Sequence, residues 1–298
     1  MQLTILAKSA TMPPLSSLKR LFEERGVTVD ESRHLPVPKS LTDCRSGLRL
    51  SLIGNTAQLS QHEVVSCGLE DGVDANLQTN EERAVDIKLA VFDMDSTLIQ
   101  CEVIDELAKQ AGVGDRVVEI TERAMRGELD FNQSFAERLG LLRGLDARVA
   151  SEIASSLPFS DGAHELMLTL RSRGVRTVIL SGGFDVFAES VMGALKMDSY
   201  VANTLEIVDN KLTGRVIPPV VNADEKRARL ISLASSMAID LSQTMAVGDG
   251  ANDLKMLEAA GIGVAFRAKP VVREQARYQF SHVGTRWGAL SFRVKALL

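Results

Sequence analysis

The sequence predicts an α/β protein built on a doubly wound parallel sheet, and three observations carry that reading. Four runs, IKLAVF (87–92), VRTVIL (175–180), QTMAVG (243–248) and GIGVAF (261–266), are nearly continuous in apolar residues. Central parallel strands read this way because both their faces are covered. Helical patterns at Ala163–Arg173, Val186–Leu195, Asp224–Ala234 and Asp253–Ala260 lie between or beside these runs. Polar groups stand directly after three of them, and open α/β sheets bind ligands beyond the carboxyl ends of their strands.

Before this sheet, residues 1–80 predict a small α+β domain. Leu3 to Ala7 reads as a strand. A helix follows Pro13-Pro14, with Leu15, Leu18, Leu21 and Phe22 on one face and Gly26 as its C-cap. Val27–Val29 and Leu48–Ile53 read as strands around a loop holding Pro36 and Pro38. Residues 70–86 have the polar composition of a linker. The sheet-bearing core is assigned to 87–100 and 157–298. The intervening 101–156 is almost purely helical, with Val103, Ile104, Leu107, Ala108 and Ala111 on one face and Gly112 ending the first helix. Arg116–Met125, Gln133–Leu142 and Ala147–Leu157 continue the pattern, so a small helical-bundle cap is expected. A second insertion, NTLEIVDNKLTGRV, alternates around Asp209-Asn210 and reads as a β-hairpin.

Composition narrows the function. The 298 residues carry 34 Lys plus Arg against 39 Asp plus Glu, a net charge of -5. A mildly acidic chain exerts no global pull on nucleic acid or anionic lipid, so an anionic ligand must be held by local groups. Cys44, Cys67 and Cys101 form no disulfide framework, which suits reduced thiols and a cytoplasmic location. His34, His62, His164 and His282 show no metal-ligand spacing, so zinc is not expected. The N-terminus lacks a signal-peptide pattern, and no run of about 18 apolar residues predicts a membrane span.

The chemistry lies at the strand ends. Asp93 and Asp95 follow the first run, Ser181-Gly182-Gly183 the second, and Asp249-Gly250 with Asn252 and Asp253 the third. Singly, each carboxylate reads equally as a cap or a turn. Converging on one rim, four anions call for a cation. All-oxygen ligands beside an anionic substrate suit Mg²⁺. Asp93 can then attack phosphorus, while Asp95 protonates the leaving alkoxide and later activates water. Ser181, with the N–H groups around Gly182 and Gly183, can hold phosphate at a helix N-terminus. Lys226 can supply a positive charge, although alone it reads as a surface lysine.

VFDMDSTL, SGG, Lys226 and VGDGANDL, in that order and spacing, resemble the haloacid dehalogenase superfamily of aspartate-nucleophile phosphatases over roughly residues 87–285. DSTLIQCEVIDELA and ITERAMRGELDFNQSFAERLGLLRGL are further similar to its phosphoserine phosphatase branch. That resemblance implies hydrolysis of O-phospho-L-serine, the last step of serine biosynthesis. It implies one Mg²⁺ held by Asp93, Asp249 and the Asp95 carbonyl, with Asn252 and Asp253 in support. It further implies that Glu102 holds the substrate ammonium, Arg138 clamps its carboxylate, and Met125 and Phe131 close an apolar lid. Ser181 and Gly182 would bind phosphate and Lys226 would stabilise its charge. The N-terminal segment, 1–80, resembles ACT-like regulatory domains, and a homodimer through it is an expectation. Two alternatives share this chemistry: phosphoryl transfer to another alcohol such as homoserine, and hydrolysis of a different small phosphomonoester.

Overall fold

The computed structural model describes residues 1–35 and 45–284. Cys44 and the Pro36–Pro38 loop lie outside the described residues, as does everything beyond Gly284. The chain opens with β1 (Gln2–Ala7), α1 (Ser16–Arg25), β2 (Val27–His34), β3 (Ser46–Gly54), α2 (Gln61–Glu70), β4 (Asp74–Gln78) and α3 (Asn80–Ala84). These strands form an antiparallel sheet in the order β2-β3-β1-β4. Leu3, Ile5 and Ala7 of β1 pack with Leu18, Leu21 and Phe22 of α1 on one face of this sheet.

The main sheet is assembled from β5 (Leu89–Phe92), β6 (Arg176–Phe184), β7 (Ser199–Val208), β8 (Lys211–Ile217), β9 (Thr244–Gly248), β10 (Ile262–Phe266) and β11 (Tyr278–Phe280). Its order is β11-β10-β9-β5-β6-β7-β8, with parallel pairing everywhere except β7 with β8. Helices α8 (Ala163–Ser172), α9 (Asp185–Leu195), α10 (Ala223–Ser236), α11 (Leu254–Ala259) and α12 (Pro270–Gln275) connect or flank these strands. Successive side chains on a strand face opposite ways. Ala90, Phe92, Ile179 and Val247 accordingly join one apolar cluster, and Leu89, Val91, Val178 and Ala246 another. The sheet is doubly covered, which explains the unbroken apolar runs.

Four helices rise between β5 and α8: α4 (Val103–Gln110), α5 (Gly114–Met125), α6 (Phe131–Gly140) and α7 (Arg148–Ala154). Asp130 starts α6 by accepting the Gln133 N–H at 2.8 Å, and the Gln133 side chain returns to the Asp130 N–H at 3.0 Å. The β7–β8 hairpin turns at Asp209 and Asn210, both at positive φ. Two residues of that type suit a tight hairpin turn.

The stretch 70–86, expected as linker, instead carries β4 and α3. Helix α2 before it was not anticipated either. Asp74, Asn76 and Gln78 alternate along β4, and all three are buried. Asn76 donates to the Gln279 carbonyl at 2.8 Å and accepts the Gln279 N–H at 3.0 Å. Asp74 accepts the N–H groups of Ser281, His282 and Val283 at 2.7, 2.9 and 2.9 Å. Side chains of β4 thus take the place of a neighbouring strand along the outer edge of β11.

Candidate active site

β5 is flanked by β9 on one side and β6 on the other, so the strand order reverses at its carboxyl end. Residues delivered there from three strands converge in a crevice. Asp93 leaves β5 with its N–H bonded to the Val247 carbonyl at 2.9 Å. Asp249 leaves β9, and its N–H and that of Gly250 donate to Asp253 Oδ2 at 3.2 and 3.0 Å. A Cβ on Gly248 would lie 2.4 Å from the Asp253 carboxyl carbon, so only glycine admits that carboxylate. Carboxylate oxygens of Asp93, Asp249 and Asp253 all fall within 4.8 Å of one another.

Lys226, on the first turn of α10, is wholly buried. Its Nζ donates to Asp93 Oδ1 and Asp253 Oδ1, both at 2.7 Å. Burial would lower its pKa, but Asp253 and Asp93 reverse that and raise it. One ammonium cannot neutralise the cluster. Burial and the Asp253 charge push Asp93 up to about 7. Burial, Asp93 and Asp253 push Asp249 up to about 8. Crowded, buried, all-oxygen donors of this kind fit a hard divalent cation, which would relieve the repulsion. Asp95 is raised well above the ordinary carboxylate value, first by burial and then by Glu102 and Asp93. Its Oδ1 accepts the Val103 N–H at 2.8 Å, at the start of α4.

A cavity of about 550 Å³ opens over these groups. Asp93, Asp95, Gly182, Asp249 and Asn252 line its floor, while Glu102, Met125, Phe131 and Arg138 line the cap side. Arg138 uses Nε on the Ser134 carbonyl at 3.3 Å. Among the described residues it makes no ion pair with Glu102. Met125 is 76% exposed and lines the cavity together with Phe131. Ser181, Lys226 and Asp253 are buried beneath the cavity surface. Ser181 Oγ accepts the Gly183 N–H at 2.8 Å. A Cβ on Gly183 would lie 2.6 Å from Asp95 Oδ2, so this close approach requires glycine.

Three neighbours escaped the sequence reading. Thr97 Oγ1 donates to Asp249 Oδ1 at 3.2 Å. Ser96 Oγ donates to Glu102 Oε1 at 2.8 Å, from a backbone at φ 55. Lys269 lines the cavity, with Nζ 3.8 Å from Asp249 Oδ2. Its signal in the sequence is its place just past GIGVAF, at the carboxyl end of the fourth apolar run.

Residues 90–258 match the model of the haloacid dehalogenase-like hydrolase family. A phosphoserine phosphatase from Streptococcus thermophilus is 49% identical over 193 residues, which are 65% of this chain and 90% of that protein. The chain belongs to the haloacid dehalogenase-like hydrolases, in their phosphoserine phosphatase branch. A Streptomyces coelicolor phosphoserine phosphatase is 50% identical over 189 residues, 63% of this hydrolase but 46% of its own length. The crystal structure of a hydrolase of the same family from Salmonella enterica serovar Typhi superimposes with a TM-score of 0.85 at 30% identity. It covers 99% of this hydrolase and 100% of the Salmonella chain, the N-terminal sheet included.

Proposed function

We propose that this hydrolase cleaves O-phospho-L-serine to L-serine and phosphate through a phosphorylated Asp93. One observation carries the substrate assignment. One cavity holds the Asp93–Asp95 pair on its floor, with Glu102 and Arg138 on its opposite side. A zwitterionic amino acid bearing a phosphate matches that layout end for end. Arg138 offers a fork of N–H donors to its carboxylate, and Glu102 an anion to its ammonium. The names of the relatives support the same reading.

Asp93 attacks phosphorus, forming an acyl phosphate as the seryl oxygen leaves. Asp95 gives that oxygen its proton, which its raised pKa keeps available. After serine departs, Asp95 takes a proton from water, and the resulting attack on phosphorus releases phosphate and restores Asp93. The Ser181 hydroxyl and Gly182 N–H hold phosphate oxygens. Lys226 stabilises negative charge beside Asp93. Asp93, Asp249 and the Asp95 carbonyl would hold one Mg²⁺, with Asp253 and Asn252 in support. When bound, the ion would supply positive charge to the transferring phosphoryl group.

We assign residues 1–80, 87–100 with 157–298, and 101–156 as N-terminal, core and cap units. We place the enzyme in the cytoplasm, as a homodimer joined through the N-terminal units. No helix among the described residues is long and apolar enough to cross a membrane.

The test is phosphate release from L-phosphoserine, with and without Mg²⁺, beside sugar and aryl phosphates. Preference for a sugar phosphate would overturn the substrate assignment, and transfer from phosphoserine to added homoserine would redirect the second step. Arg138→Ala should lower kcat/KM for phosphoserine about 100-fold and for an aryl phosphate about threefold or less. Equal losses would remove Arg138 as the carboxylate reader.

A further inference from the structure

The loop assigned to phosphate leaves the sheet at a bulge. β6 and β7 pair through Leu180 with Val201 and resume at Phe184 with Asn203. Ser181, Gly182 and Gly183 therefore bow out opposite the single residue Ala202. Asn203, where pairing resumes, is wholly buried. Its Nδ2 donates to the Gly182 carbonyl and its Oδ1 accepts the Val221 N–H, both at 2.8 Å.

The Gly182 carbonyl and the Gly183 N–H belong to one planar peptide. Asn203 holds the oxygen side of that plane, and the N–H side donates to Ser181 Oγ at 2.8 Å. Fixing the plane therefore aims the Ser181 hydroxyl, whose own proton stays available to a ligand. The second bond reaches the next element. Val221 adjoins Asn222, whose side chain caps α10 by accepting the Asp224 and Glu225 N–H groups at 3.1 Å. Lys226 follows within that turn, its N–H bonded to the Asn222 carbonyl at 2.9 Å. One amide thus spans the gap between the glycine loop and the lysine helix.

The geometry points to Asn203 as a positioning residue for the phosphate end of the site. It touches no reacting atom. It sets the distance and orientation between Ser181, Gly182 and Lys226, and it leaves the Glu102–Arg138 end alone. This inference rests on the phosphate-holding roles proposed above. The position needs a donor and an acceptor on one short side chain, which an amide supplies and a carboxylate does not.

The experiment compares Asn203→Asp and Asn203→Ser with wild type, using an aryl phosphate as substrate. N203D keeps the acceptor for Val221 and turns an oxygen toward the Gly182 carbonyl. N203S removes the reach without adding charge, and it carries the test if N203D fails to fold. Inhibition constants are measured for the two expected products, inorganic phosphate and L-serine, together with thermal melting. The phosphate constant should rise about tenfold, the scale of one lost hydrogen bond, with the L-serine constant within about twofold of wild type. A phosphate constant that does not move overturns the inference. So do two constants that rise together, which marks general distortion. Wild type that neither cleaves phosphoserine nor binds L-serine sinks the substrate assignment instead. In that case a weakened phosphate constant at unchanged melting temperature supports Asn203, and weakening that tracks lost stability overturns it.

Discussion

Two sets of buried polar side chains lie at opposite ends of the physical spectrum in this molecule. Asp74 and Asn76 on β4 face backbone N–H and C=O groups of residues 279–283, and every contact is donor to acceptor. Asp93, Asp249 and Asp253 face one another across less than 4.8 Å, with the wholly buried ammonium of Lys226 beside them. Both sets are equally hidden from water. The difference is what each carboxylate meets. Matched groups stabilise a fold, whereas crowded like charges cost stability and persist where a ligand or a reaction needs them. Burial alone would not have separated the two.

The comparison breaks most sharply at Asp93, the proposed nucleophile. Asp93→Asn should lower turnover at least about 1000-fold, because the attacking oxygen is lost. Its melting temperature should hold or rise, since one of three crowded charges is gone. A folded D93N that kept turnover would end the covalent mechanism.

The opposite pattern is expected at the other set. Asp74→Ala leaves three N–H groups without their acceptor, at a cost of about 1 kcal/mol each and about 3 kcal/mol in all. Denaturant titration should show that loss, while kcat of the folded fraction stays within about twofold of wild type. If D74A lost turnover at unchanged stability, β4 would belong with the catalytic set.

Protonation sharpens the contrast further. In the proposed mechanism the leaving serine oxygen takes the Asp95 proton, and the raised pKa of Asp95 extends its protonated form upward in pH. As pH rises through that pKa the proton is lost, so kcat/KM for phosphoserine should fall on the alkaline side. An aryl phosphate, whose leaving group needs less protonation, should fall less steeply. Identical alkaline limbs would take the general-acid role from Asp95.

The smallest expected effect concerns orientation. Ser96→Ala frees Glu102 from its 2.8 Å hydrogen bond. KM for phosphoserine should rise about threefold, with kcat and the aryl phosphate KM unchanged. A change in the aryl phosphate KM would show that Ser96 supports the floor of the cavity and not the ammonium end.

The same contrast explains what could be read in advance. IKLAVF, VRTVIL and QTMAVG declared their strands because both faces of the sheet are covered, and Asp93, Ser181 and Asp249 declared themselves by following those runs. β4 stayed hidden because its outward face docks on β11, the edge strand of the main sheet, so Asp74, Asn76 and Gln78 read as linker. Asn203 escaped for a related reason. Its role depends on a bulge in its neighbour strand and on the cap of α10, and neither shows in its own surroundings. Lys226 could be named as a charge, but its burial between two carboxylates is a tertiary fact.

The seam between β4 and β11 also sets an order of events. Its hydrogen bonds join residues 203 to 209 positions apart. A chain emerging from the ribosome makes Asp74 and Asn76 some 203 to 209 residues before the groups that satisfy them. Asp74 and Asn76 therefore wait in water until β11 and the residues just after it are delivered. Docking along this seam therefore follows synthesis of β11, and the two sheets of the enzyme mature together.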